Sequence, residues 1–438
     1  MADWIAETFR SDTGWNHLER LVDIGNRMAG QPGEMEGLEA TRGAFATAGA
    51  RDARVETFDL AGWVRGDSSI ATPETVEESI ALPRGPAGEV DAELIDLGAG
   101  LPADFEAHDV EGKVVLATSD VPEYFDRYIH RTEKYQYAVE GGAAAFIYAN
   151  HVPGELPPTG SVGGSDGDPY GDIPAVGVSA ETGARLARRF DGDEVTVAVE
   201  CETPETESGN AVAELGPDTE EVVILSSHVD AHDIAEGARD NGAGTATIVE
   251  IAKALAARED DLDTRVKCIA YGAEEVGLVG SELASETADR DAIRATVNVD
   301  SNMGSRTLEL TTHRFDELAA AAERVSERFD HPISTVPRMV PHSDHWPFVR
   351  WGVPGYTVSS VSDSAGRGWG HTEADTLDKL ESRTLREQAI LLTELVVEVA
   401  DSEVTIEHAD AETMAGYLKE EDQAIGMKKT GDWPYEFE

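Results

Sequence analysis

The most ordered pattern of apolar and polar positions runs from Val222 to Gly244, VVILSSHVDAHDIAEGARDNGAG. The run VVILSS has the length of a buried strand. It is followed by His228, Asp230 and, after a polar loop, Asp240. A Gly-rich turn, Asn241-Gly242-Ala243-Gly244, leads into helical spacing from Thr245 to Ala257. A strand, polar side chains just past its end and a helix packing back is how open α/β sheets build ligand sites. Beyond Ser208 the alternation is regular: NAVAEL, VVILSS, VKCIAYG, ATVNVD, TLELTT, STVPRM and GYTVSS read as strands. Helices are predicted between them at Thr245–Ala257, Leu278–Glu286 and Phe315–Phe329, with a last one at Leu385–Ala400. The pattern predicts an α/β fold: three layers, a mostly parallel (mixed) sheet with helices on both faces. Near the start, Trp15–Met28 and Met35–Ala48 have helical spacing on either side of a Gly30-Gln31-Pro32-Gly33 break, and ARVETFDL alternates like a strand.

From about Ser69 to Glu200 the texture changes to short strands, VEGKVVLAT, AAAFIYAN, DIPAVGVS and EVTVAVE, with helices near Lys134–Glu140 and Glu181–Phe190. The loop Val152–Gly171 is rich in Gly, Pro and Ser, and no His, Cys or paired carboxylates cluster for chemistry. This predicts a small α/β domain over 71–204, set into a discontinuous domain formed by 1–70 and 205–438. The segments EGKVVLATSD, AVEGGAAAFIYAN and IPAVGVSAETGARL resemble the protease-associated domain, which implies a lid or access element without catalytic groups.

Charge narrows the partners. The chain of 438 residues carries 35 Lys and Arg against 86 Asp and Glu, a formal charge of −51. A polyanion repels nucleic acid and anionic lipid, so neither is expected as a partner. Self-repulsion of that size is screened at molar salt, where the Debye length is about 3 Å. A halophilic protein of a high-salt cytosol is therefore expected. Cys201 and Cys268 lie in or beside strand-like runs and are expected as buried thiols, not a disulfide. The acidic start MADWIAETFRSDTG has no apolar segment, and no run reaches the roughly 20 apolar residues of a membrane helix. A cytoplasmic, soluble protein is expected. The tail after Asp401 is polar and charged, ending near Trp433-Pro434-Tyr435, and its role is not legible.

Several predicted strand ends carry metal-type groups. The first offers His228, Asp230 and Asp240; the second runs into Ala273-Glu274-Glu275; the third ends in Asp300; and a Gly-rich loop leads to Gly370-His371-Thr372-Glu373-Ala374-Asp375-Thr376. Each alone has an ordinary explanation, as a hydrogen-bonded His, a solvated acidic pair or a helix cap. Together they form a mixed nitrogen and oxygen donor set on one sheet edge, which suits zinc and suits two ions better than one. The order H-x-D, D-N-G-A-G, E-E, N-x-D, H-T-x-x-D-T resembles the co-catalytic zinc aminopeptidases, the family of bacterial leucyl aminopeptidases, aminopeptidase Y and plasma glutamate carboxypeptidases. Ser343–Val358, SDHWPFVRWGVPGYTV, resembles the segment preceding its last ligand.

The resemblance implies two Zn2+ per chain, with Co2+ or Mn2+ as possible substitutes. It implies that His228 and Asp300 bind one ion, Glu275 and His371 the other, and Asp240 bridges them. Glu274 is then the general base and Asp230 orients His228. Some relatives carry Asp where Asn241 stands, which removes no ligand. His232 is set aside as a ligand because the site is already filled, and His342 and His345 are expected to support the site or line a pocket. Trp346, Phe348, Trp351 and Trp369 either line a pocket or pack the core. The implied activity is metal-dependent removal of the first residue of a peptide substrate. Three alternatives stand beside it. One is a dipeptidase or carboxypeptidase reading a free carboxylate, for which Arg338, Arg350 and Arg367 are candidates. The others are a glutaminyl cyclase-like acyltransferase with one zinc, and a binding protein of transferrin-receptor type. The oligomeric state is not legible.

Overall fold

Strand formation follows the apolar runs. In the computed structural model, residues 3–163, 168–361 and 368–437 are described. The chain divides into two units: Met1–Leu60, Glu207–Asp363 and Asp375–Leu418 form the first, and Ala61–Thr206, Ser364–Ala374 and Lys419–Glu438 the second.

The first unit is built on an eight-stranded sheet. Its strands are β1 (Arg51–Ala61), β2 (Glu205–Leu215), β3 (Val222–His228), β4 (Arg265–Tyr271), β5 (Ile293–Val299), β6 (Leu308–Thr311), β7 (Ser334–Val336) and β8 (Gly355–Ser360). Their order is β1-β2-β4-β3-β5-β8-β6-β7. The middle four, β4, β3, β5 and β8, are parallel. β2 joins antiparallel to β4 and β6 antiparallel to β8, so the sheet is mixed as expected. Every residue of β3 is buried. Val223 and Leu225 face one layer and Ile224 the other, by the alternation of a strand. Each such buried side chain contributes about 1.5–3 kcal/mol.

The helices are α1 (Asp3–Arg10), α2 (Thr13–Ile24), α3 (Pro32–Ala48), α4 (Ala243–Ala256), α5 (Val279–Thr287), α6 (Asp316–Phe329) and α7 (Ser382–Ala400). α4 is buried almost throughout and packs against α2, α3 and α7. The opposite face of the sheet meets Phe348, Val353, Ala284 and Ala288. Two boundaries differ from the sequence reading. The first predicted helix stops at Ile24, because Gly25 takes the left-handed φ of 82° that closes the helix. The predicted break at 30–33 holds a helix start, with Pro32 in the first turn, where its missing N–H costs nothing.

The second unit also has an eight-stranded sheet. A parallel run through Gly88–Asp96, Val114–Thr118, Ala145–Ala149 and Ala175–Val178 forms its middle. Helices Arg131–Glu140 and Ala180–Phe190 fall where the sequence placed them. Its core joins Val115, Ala117, Tyr135, Phe146 and Tyr148, and the Tyr135 hydroxyl donates to the Ile173 carbonyl at 2.9 Å. The tail, illegible in sequence, forms helices Ala411–Glu420 and Gln423–Thr430, and the latter packs on Arg131–Glu140. Both cysteines are free; Cys268 is buried as expected, whereas Cys201 is only half-buried, on the same side of its strand as the buried Val195, Val197 and Val199 but next to the strand's end. Among the described residues no helix is long and apolar enough to cross a membrane.

Candidate metal centre

His228 is the last residue of β3, and its ring is almost wholly buried. Nδ1 lies 3.1 Å from the Asp230 backbone carbonyl and 3.5 Å from the Asp230 carboxylate. Nε2 faces the other way, 3.4 Å from Asp240 Oδ1 and 3.6 Å from Asp300 Oδ1. Thr245 of α4 donates to the His228 carbonyl at 2.7 Å, fixing the backbone beneath the ring.

The loop between His228 and Asp240 is held by Arg27, a buried residue just past α2. Its guanidinium donates to the carbonyls of Leu21, Val229, Glu236 and Gly237 at 2.7–3.0 Å. Asp240 then sits in a tight turn over Ala238–Gly242, with a cis Asp240–Asn241 peptide. Asp375 accepts from the N–H groups of Arg239 and Asp240 at 2.8 and 2.9 Å. Asn241 donates to the Val299 carbonyl at 2.9 Å and accepts from Gly244 N–H at 3.0 Å. A Cβ on Gly244 would come within 2.4 Å of that same carbonyl, which is why the turn carries glycine there. Asn241 thus ties the Asp240 turn to the end of β5, where Asp300 follows. Ser343 donates to Asp300 Oδ2 at 2.5 Å, and Asn298 donates to Ser343 at 2.8 Å.

The acidic pair follows β4. Ala273 has a left-handed φ of 58°, and past it the chain presents successive N–H groups to carboxylates. Asp230 accepts from Glu274 N–H and Glu275 N–H, both at 3.1 Å. Glu275 Oε2 lies 2.9 Å from His232 Nε2, with both side chains buried. Glu274 as a residue is half-buried.

The electrostatics ask for cations. Burial, with the Glu275, Asp344 and Asp300 charges, pushes the Glu274 carboxyl well above the usual range against the pull of His228. Burial alone would lower His228, but Glu274, Asp230, Asp240 and Asp300 outweigh it and hold the ring well above its ordinary value. A buried excess of carboxylates is costly unless positive charge compensates it. The donor atoms of His228, Asp240 and Asp300 lie within 4.8 Å of one another. A tetrahedral ion with bonds of about 2.0–2.2 Å needs donors about 3.3–3.6 Å apart, so the triad fits zinc with little movement.

His371 belongs to the 364–374 segment of the second unit. It is buried, with a left-handed φ of 57° and Nδ1 3.3 Å from the Thr159 carbonyl. The remaining candidates have other work. His345 packs against His313 with ring centroids 4.5 Å apart and planes tilted by 32°, and its Nε2 lies 2.9 Å from the Val340 carbonyl. Trp346 and Phe348 are buried, and Trp351 and Trp369 half-buried. Arg350 pairs with Glu282, and Arg338 lies 3.5 Å from Glu309. Arg367 lies outside the described residues. Sequence reasoning missed Arg27 and the His232–Glu275 pair. Neither leaves a local pattern, although HVDAH already placed His232 four residues after His228.

Comparison with known proteins agrees with this geometry. Residues 210–396 match the model of peptidase family M28, and residues 76–186 match the PA domain. Aminopeptidase YwaD of Bacillus subtilis is 26% identical over 416 residues, covering 90% of this chain and 86% of that protein. Among solved structures, an aminopeptidase from Aneurinibacillus sp. strain AM-1 superposes with a TM-score of 0.71 at 26% identity, covering 93% of this chain and 98% of that one. BSAP, a zinc aminopeptidase from Bacillus subtilis, shares the fold with a TM-score of 0.71 at 22% identity, over 91% of this chain and 97% of its own. A donor triad at parallel strand ends, an acidic pair beside it and these matches converge: residues 210–396 form a domain of the peptidase family M28 type, and residues 76–186 a PA domain.

Proposed function

We infer that the chain is a zinc aminopeptidase, a metallo-exopeptidase that hydrolyses the peptide bond after the first residue of its substrate. The observation that carries this reading is the buried His228–Asp240–Asp300 triad with the raised carboxyl of Glu274 beside it. His228 and Asp300 would hold one zinc, Glu275 and His371 a second, with Asp240 between. His371 stands in the H-T-x-x-D-T run, four residues before Asp375. Its Nδ1 faces the Thr159 carbonyl, which leaves Nε2 as the coordinating atom. Bound zinc would make a coordinated water acidic near neutral pH, polarise the scissile carbonyl and anchor the substrate's free amine. Glu274 takes the proton of the attacking water and delivers it to the departing amine. Asp230 orients His228 and fixes the backbone of the acidic pair.

A panel of free-amine, blocked-amine and amidated-carboxyl peptides tests this, together with metal analysis. The expected result is about two zincs per chain and cleavage only where the amine is free. Cleavage that needs a free carboxylate instead would favour the carboxypeptidase reading, and one zinc the cyclase-like one. The pairing of Arg350 and Arg338 with carboxylates already weighs against the former. The charge of −51 supports a further part of the proposal, that the enzyme works in concentrated salt.

A further inference from the structure

We propose that Glu34, at the start of α3, is a positioning residue for the Glu274–Glu275 pair. It rests on the dizinc reading for its catalytic consequence, but its structural argument does not. Glu34 is 1% exposed and 239 residues from the backbone it touches. Its Oε1 accepts from Ala273 N–H at 2.8 Å and from the Ser208 hydroxyl at 2.8 Å. Its Oε2 accepts from Gly30 N–H at 2.6 Å, so both oxygens are fixed.

The three consecutive N–H groups of Ala273, Glu274 and Glu275 are therefore all held by buried carboxylates: the first by Glu34, the next two by Asp230. Successive N–H groups around a left-handed residue form a concavity that favours anions, and Ala273 is such a residue, at φ 58°. A left-handed alanine is costly and persists only where its surroundings hold it. The packing around the carboxylate is close. A Cβ on Gly272 would lie 2.7 Å from Glu34 Oε1 and 2.6 Å from Ser208 Oγ. Rotation at Ala273 would swing Glu274 and Glu275 together, one away from the substrate water and the other from its ion. Asp230 grips only the residues after the hinge, and Val279 N–H holds the Ala273 carbonyl at 3.1 Å, which leaves the Ala273 N–H to be held. Glu34 supplies the grip on the hinge itself.

The test compares Glu34→Ala, Glu34→Asp and Glu34→Gln in the full-length chain. Asp withdraws the carboxylate by one methylene, whereas Gln keeps an acceptor for Ala273 N–H. Hydrogen exchange of the peptide spanning 272–278, measured on metal-free protein, reads the hinge directly. It is expected to rise about tenfold or more in Ala and Asp, with exchange elsewhere unchanged, and to stay near wild type in Gln. With zinc restored, kcat for an aminoacyl-anilide and the affinity for the second zinc are expected to fall about 10- to 100-fold in Ala and Asp. KM should move less than about twofold and Gln should be largely spared, since only the reacting geometry changes. If Ala does not fold, Asp against Gln carries the comparison. Unchanged exchange at 272–278 in Asp would overturn the proposal, as would uniform destabilisation with kcat and zinc affinity intact. A wild type that binds other than two zincs would overturn the dizinc reading and leave the exchange result standing.

Discussion

Glu274 and Glu275 are neighbours in sequence for which we propose different duties, base and zinc ligand. Glu275 is buried against His232, whereas Glu274 has a carboxyl that burial and the neighbouring carboxylates hold well above its usual range. Glu274→Gln is therefore expected to keep zinc but lose about 10²–10⁴-fold in kcat, as checked by metal analysis beside steady-state kinetics. Retained hydrolysis would refute the base assignment. Far from the site, His17 is buried with Nε2 3.1 Å from the Thr41 hydroxyl. Burial and the nearby Arg20 and Arg27 lower its pKa to about 3. Its unfolded value near 6.5 is higher, so below pH 6.5 the unfolded chain binds a proton that the folded one refuses. Stability is then lost as pH falls from 6.5 toward 3. Between pH 6.5 and 4.5 this group alone costs roughly 2–3 kcal/mol. Melting of His17→Gln over that range should show a shallower decline than wild type, and parallel curves would exclude His17 as the cause.

The elements were legible where their signal is local. The apolar run of β3, the helical spacing of α4 and the turn glycines all speak within some twenty residues, and the structure places them as read. Ligand candidates were legible because each follows a strand end. What the sequence hid are the clamps joining distant elements, since a side chain that grips a backbone carbonyl imposes no residue type on its partner. Arg27 is the clearest case, reading as one more charge at the end of a polar helix until its four carbonyl partners are seen. Arg27→Met would leave the Leu21, Val229 and Glu236 carbonyls without their guanidinium donor, while the Gly237 carbonyl keeps the Gly242 N–H. An expected loss of roughly 3–9 kcal/mol follows, from about 1–3 kcal/mol for each of those three groups. Denaturant unfolding measures it, and a loss below about 1 kcal/mol would show that the loop between His228 and Asp240 holds itself.

At the scale of the whole molecule, the charge of −51 bears on the salt dependence that we propose for the fold. Thermal melting is expected to rise from dilute buffer to multimolar KCl as repulsion is screened. A melting temperature indifferent to salt would end that idea. Zinc should act more locally: at free zinc about 100-fold above its Kd, each occupied site adds about 2.7 kcal/mol to stability, which chelation would remove. The clamp at the Asp240 turn has a bearing on biosynthesis as well. Asp375 holds that turn from 135 residues downstream. While the ribosome is still translating residue 370, the nascent polypeptide lacks both His371 and this latch, and is not yet expected to work as a peptidase. Stalled chains released at successive lengths should stay inert until Asp375 clears the exit tunnel.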